Sequence, residues 1–129
     1  MAKGEFGHVD VWINNAGRGI GRSVLELTDD DFDEMMSVNV KSAIYGMQVV
    51  IPHFKERGRG HLINVSSFLS RVPFVTFRAA YSAAKAALNI LTANLRMELK
   101  AAYPEIHISS VMPGTVATDF SKNALWGTP

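Results

Sequence analysis

Apolar and polar positions follow two different periods along this chain, and the changes of period divide it into elements. Val9 to Ile13 (VDVWI) is short, rich in β-branched residues and apolar at nearly every position, as in a strand buried on both faces. From Phe32 onward, Met35, Met36, Val40, Ile44, Met47, Val50 and Ile51 recur at helical spacing. Thr28 ahead of Asp29, Asp30 and Asp31 supplies a start for that helix, a capping hydroxyl followed by acids where the helix dipole favours them. Asp31 also stands at the spacing of an acidic capping box. The pattern predicts a helix over about 29–57, bent by Pro52 and ended by Gly58.

His61 to Val65 (HLINV) reads as a second strand, and Ser67 to Arg78 as a loop, apolar but broken by Pro73. Ala79 to about Ala102 is a second long helix rich in alanine and leucine. Ile106 to Met112 is a third strand, stopped by Pro113-Gly114, and 121–129 reads as loop. The order is β-α-β-α-β, which predicts one α/β domain with a short parallel sheet and right-handed crossovers.

Composition narrows the function classes. With 129 residues, 47% hydrophobic and 19% charged, the chain is an ordinary globular domain able to bury one core. A net charge of +1, with 13 scattered basic residues, points to neither a nucleic-acid partner nor a membrane surface. Lys55, Arg57 and Arg59 cluster at a helix end without interleaved aromatics and read as solvated. No apolar run approaches the ~20 residues of a membrane span, and the start carries no secretory pattern. The absence of cysteine excludes disulfides and thiolate chemistry, which together with these features sets a cytoplasmic expectation. The four histidines show no metal-ligand spacing, so no metal is expected.

The stretch Ile13 to Arg22 (INNAGRGIGR) admits two readings. Gly19-Ile20-Gly21 after an apolar run resembles the glycine turn that holds a dinucleotide pyrophosphate, but that turn must open a long helix, and only Ser23 to Leu27 follows before Thr28. Alternatively Asn14-Asn15-Ala16-Gly17 is the signature and the later glycines are its tail. Downstream, Asn39, Ser67, Tyr81-Ser82-Ala83-Ala84-Lys85 and Pro113-Gly114 occur in a fixed order. Together with Asn14 to Gly17 these motifs resemble the classical short-chain dehydrogenase/reductase family, over about residues 7–120. The Ser67–Tyr81 separation is one residue longer than the commonest spacing in the family.

The resemblance implies a partial Rossmann-like three-layer fold and an NAD(P)-dependent oxidoreductase that interconverts alcohol and ketone. Asn39, Ser67, Tyr81 and Lys85 would be the catalytic set. Tyr81 and Lys85 share a helical face, and a nearby ammonium is expected to lower the tyrosine pKa, ordinarily ~10, toward the working range. Tyr81 would be the acid/base, Ser67 would hold the reacting oxygen, Lys85 would hold the nicotinamide ribose, and Asn39 would hold a water relaying protons to Lys85. Cofactor contacts would come from Asn14, Asn15, Ala16, Gly17, Tyr81, Lys85, Pro113, Gly114, Val116 and Thr118. Phe68, Phe74, Phe77 and Trp126 are candidates for an apolar substrate pocket or for simple packing. Without the resemblance, Tyr81 reads as a packed aromatic, Lys85 as a solvated lysine and Ser67 as a turn hydroxyl.

The family begins with a strand, a glycine-rich turn and a helix that this sequence does not show, so the resemblance covers the family's catalytic half, its strands four to six. Both long helices would then cover one sheet face and leave the other bare, at ~25 cal/mol per Å² of apolar surface, with the first strand an unpaired edge. A homo-oligomer through the outer faces of helices 29–57 and 79–102 is therefore expected. The rival reading is a catalytically inactive chain that self-associates without cofactor. A third would make Arg18-Gly19-Ile20-Gly21 a replacement phosphate site in an oligomer.

Overall fold

Three short parallel strands organise the chain. The computed structural model describes residues 8–67 and 78–113, and within them β1 (Val11–Asn14), β2 (Gly60–Val65) and β3 (Ile106–Val111) lie in the order β1-β2-β3. Asn14, Asn64 and Ser110 stand in register across the sheet, one row before its carboxyl end. The expected opening strand 9–13 is shifted to 11–14, because the Val9 N–H leaves the ladder and donates to His53 Nε2 at 3.0 Å. At the other end β3 stops at Val111, one residue short of the expected Met112.

The helices carry the caps the sequence predicts. Thr28 Oγ1 accepts from the Asp31 N–H at 3.1 Å, and the Asp31 carboxylate accepts from the Thr28 N–H at 3.2 Å, closing the capping box over α1 (Asp29–Met36). Gly58, at φ 79°, ends α2 (Ser42–Arg57) in the left-handed region and donates its N–H to the Phe54 carbonyl at 2.8 Å. Pro52 lies within α2, which continues through it. The third helix, α3 (Ala79–Leu99), ends three residues before the expected Ala102. Pro104 follows, and a proline disfavours helical backbone in the residue before it.

The predicted uninterrupted helix 29–57 is the main correction. A π turn, Ser37–Lys41, separates α1 from α2. There the Ser42 N–H reaches back five residues to the Ser37 carbonyl, and the Ser42 hydroxyl donates to the Val38 carbonyl at 2.6 Å. The Asn39 amide donates to the Met35 carbonyl at 3.0 Å. Side chains thus serve carbonyls that the wider turn takes out of α-helical pairing, and such turns are frequent at functional sites.

One face of the sheet packs against α2 and α3. Leu62, Ile106 and Ile108 meet Met47, Val50 and Phe54 of α2 and Leu88 and Leu99 of α3 in a continuous core. Beneath it Asn64, fully buried, accepts from Asn14 Nδ2 at 2.8 Å and donates to Thr92 Oγ1 at 2.9 Å, tying β1, β2 and α3 by their side chains. On the opposite face Val11 (50% exposed), Ile13 (57%) and Val111 (45%) are open, as expected of two helices on one side.

Candidate active site

Strand alternation sends residues of one row to one face, but the residues just past the strand ends are free to converge, and ligands of open parallel sheets sit there. β1 leads into Asn15, Ala16 and Gly17, and β2 leads into Ser66 and Ser67. The first turns of α3 bring Tyr81 and Lys85 to the same place, and the π turn brings Asn39.

Lys85, only 4% exposed, donates from Nζ to the Val65 carbonyl at 3.0 Å, and that Nζ lies 5.8 Å from the centre of the Tyr81 ring. Ser67 is hydrogen-bonded to the Tyr81 side chain. Asn39 donates to the Arg18 carbonyl at 3.0 Å as well as to Met35, while its Oδ1 is buried with no hydrogen-bond partner among the described residues. Gly17 sits between the two groups: a Cβ there would stand 2.8 Å from Asn39 Oδ1 and 3.3 Å from Lys85 Nζ. This close approach is the physical reason for glycine at the end of Asn14-Asn15-Ala16-Gly17. Asn39 is pinned from its other side and cannot retreat, so Gly17→Ala should cost about 1–3 kcal/mol. Urea denaturation of the variant beside the parent chain measures it.

Asn14 itself turns away from the site. Besides Asn64 it contacts the Ala43 carbonyl at 3.4 Å and accepts from Trp12 Nε1 at 2.8 Å, a sheet-bracing arrangement. Asn15 and Ala16 are exposed at the strand end.

The glycine stretch that follows is packing. Ile20 is fully buried against Met35, Val40, Tyr81 and Ala84, and helps to seat Tyr81. Gly21 opens no helix; only a three-residue 3-10 turn, Val24–Glu26, precedes α1. The first turn of α1 carries Asp29, Asp30 and Asp31, which repel a phosphate. Arg18 is paired to Glu34 at 3.1 Å. These contacts speak against both phosphate readings of Gly19 to Gly21.

Electrostatics at Tyr81 corrects one expectation. Burial pushes its phenol above the ordinary value, against the opposing pull of the Ser67 hydrogen bond and the Arg78 charge. The helical spacing alone predicts that Lys85 lowers it. In the structure Lys85 hangs over the ring and spends a hydrogen bond on Val65, and burial lowers its own pKa to about 8. Arg78, 3% exposed at the start of α3, is the residue missed in the sequence, where it reads as the end of a loop. Its signal was its place three residues before Tyr81, on the same helical face.

Of the remaining candidates, Pro113 is exposed just beyond β3. Gly114, Val116, Thr118, Phe68, Phe74, Phe77 and Trp126 lie outside the described residues. A shallow cleft of about 360 Å³ lined by Asp10, Arg59, His61, Glu105 and His107 opens at the amino ends of β2 and β3, the opposite end from Tyr81. Among the described residues no helix is long and apolar enough to cross a membrane.

Fold and site together define a three-stranded parallel α/β framework with polar side chains gathered past its strand ends, and the family model for short chain dehydrogenases matches residues 1–126. The chain belongs to that family. It is 31% identical over 122 residues to an uncharacterized oxidoreductase of Staphylococcus epidermidis, covering 95% of this chain and 52% of the relative. Among solved structures it superposes on a short-chain dehydrogenase from Streptomyces avermitilis with a TM-score of 0.85 and 34% identity, covering 97% of this chain and 46% of that one. A gluconate 5-dehydrogenase from Burkholderia cenocepacia, solved with NADP and tartrate, gives a TM-score of 0.84 and 28% identity over 93% of this chain and 46% of that one. The chain thus spans about half the length of the relatives it matches.

Proposed function

We propose that this chain carries the catalytic half of a short-chain dehydrogenase/reductase and, in an assembled form, interconverts an alcohol and a ketone with a nicotinamide cofactor. The observation that carries the reading is the convergence of Ser67, Tyr81, Lys85 and Asn39 beyond the ends of β1 and β2. An ammonium has three N–H donors, and Lys85 commits one to Val65. Its spare donors and the unused Oδ1 of Asn39 flank Gly17. A ribose diol, which both donates and accepts, suits that pair. NADP in the Burkholderia neighbour adds family support for such a cofactor.

A bound nicotinamide supplies or accepts the hydride at the carbonyl carbon. The chain's own part is the proton. Tyr81, held neutral by burial, gives its hydroxyl proton to the carbonyl oxygen in the reducing direction, and Ser67 holds that oxygen within reach. Lys85, with a pKa near 8, returns a proton to the Tyr81 oxygen from the side of Asn39.

A self-associating chain is the second reading, favoured by the exposed apolar residues Tyr45 and Val49 on α2 and Ile90 and Met97 on α3. Both helices present these residues away from the sheet, as a contact between copies would need. Titration with NADH and with NADPH, followed by fluorescence, separates the two readings when light scattering is run on the same sample. Saturable micromolar binding by an oligomer is expected. No binding up to millimolar cofactor overturns the enzyme reading and leaves the self-associating chain.

A further inference from the structure

We propose that Thr92 is a positioning residue for α3: a run of four hydrogen bonds that passes through its hydroxyl fixes how far the helix is turned about its axis, and thereby where Tyr81 and Lys85 point. The use of that aim in catalysis rests on the proposed reaction, whereas the aim itself does not.

The run crosses the sheet from β1 to α3. Trp12 Nε1 donates to Asn14 Oδ1 at 2.8 Å, and Asn14 Nδ2 donates to Asn64 Oδ1 at 2.8 Å. Asn64 Nδ2 then donates to Thr92 Oγ1 at 2.9 Å, and the Thr92 hydroxyl to the Leu88 carbonyl at 2.7 Å. Both ends settle its direction. An indole nitrogen can only donate and a carbonyl can only accept, so each amide between them has one orientation that works. Asn64 and Thr92 are fully buried, where an unpaired donor is strongly disfavoured.

Apolar packing leaves the same aim open. Leu88 and Leu99 are buried on the inner side of α3, but Ile90 and Met97 are apolar too and lie exposed. Burial therefore distinguishes one rotation of the helix from another only weakly. β1 has the same ambiguity, since Val11 and Ile13 are exposed on the face away from the helices. A hydrogen bond is directional where apolar contact is not. Thr92 stands seven residues after Lys85 and eleven after Tyr81. At about 3.6 residues per turn, its direction around α3 falls between those of the two site residues. The anchor and the groups it aims share one stripe of the helix. A helix with its side chains is about 10–12 Å across, so a rotation of about 20° carries a side-chain tip by about 2 Å.

Thr92→Val keeps the shape and removes the hydroxyl, while Thr92→Ser keeps the hydroxyl. The readout is the Tyr81 phenolate, about three helical turns away, titrated by its absorbance in the chain without cofactor. The chain has three tyrosines, Tyr45, Tyr81 and Tyr103, and subtraction of the Tyr81→Phe titration isolates the signal. Burial holds Tyr81 above its ordinary 10.0, so turning the helix should wet the ring and bring the midpoint down. In Thr92→Val the expected fall is about one pH unit, a tenfold gain of phenolate at fixed pH. Thr92→Ser should restore the parent midpoint. Where the assembled form turns over, Thr92→Val should lower kcat by about 10–10²-fold with KM little changed, a misplacement of about 1 Å being enough. A midpoint that stays or rises in Thr92→Val, or equal shifts in the valine and serine variants, overturns the proposal. If the valine variant unfolds, Thr92→Cys keeps the shape with a weak donor and takes its place. Unfolding of both overturns the proposal, since Thr92 then holds the fold rather than the aim of α3. A lowered midpoint without turnover in the parent keeps the inference and removes the reaction; turnover with an unmoved midpoint does the reverse.

Discussion

At pH 7 the Lys85→Met variant should be more stable than the parent chain by about 1–2 kcal/mol. Lys85 is buried and its pKa falls from 10.5 to about 8, so the folded state carries the charged ammonium at a penalty of about 3 kcal/mol, at roughly 1.4 kcal/mol per pH unit. Methionine fills similar space without charge. It also strips the Val65 carbonyl of its donor, which returns about 1–2 kcal/mol of the gain. The sign with pH follows from proton counting. Between pH 8 and 10.5 the unfolded chain binds more protons at this site than the folded one, so parent stability rises with pH across that window. The advantage of the variant should therefore shrink from about pH 8 upward and reverse near pH 9. Urea denaturation of both proteins at pH 7 and pH 9.5 reads the effect; a variant no more stable than the parent at pH 7 contradicts it.

Removal of the Tyr81 hydroxyl should have the larger effect on turnover. If the proposed reaction holds, Tyr81→Phe should lower kcat by about 10²–10⁴-fold, the usual worth of one acid/base group, with little change in KM. The ring remains to fill the cluster of Ile20, Met35, Val40 and Ala84, so the fold should persist. Steady-state oxidation of NADPH or NADH with a carbonyl substrate measures it, with circular dichroism as the control for folding. A variant that retains most of its turnover removes Tyr81 from the acid/base role.

Much of the fold was legible because its signals are local. Three β-branched runs, the Thr28–Asp31 cap and Gly58 each act within a few residues, and the elements fall where they point. Strand ends were less legible, since the shift of β1 depends on His53, a residue 44 positions away that captures the Val9 N–H. The π turn left no trace in the pattern, because apolar spacing of Met36, Val40 and Ile44 suits an α-helix equally well. At the site the residue types and their order were readable. Their electrostatics was not, since whether Lys85 or Arg78 governs Tyr81 depends on where burial and hydrogen bonds leave each charge. Ile20 is a further case: flanking glycines drew attention to phosphate chemistry, and the apolar residue between them turned out to be a core plug.

The π turn works as a vernier between two independently anchored scales. α1 is set by its capping box and α2 by its seat on the sheet, and the turn takes up the phase between them. One residue more or fewer within Ser37–Lys41 would change the type of turn and swing Asn39 by about 100° around the helix axis. The anchors at either end would stay in place. Distance along the chain is thereby converted into an angle, and the amide facing Gly17 can be aimed without moving the sheet.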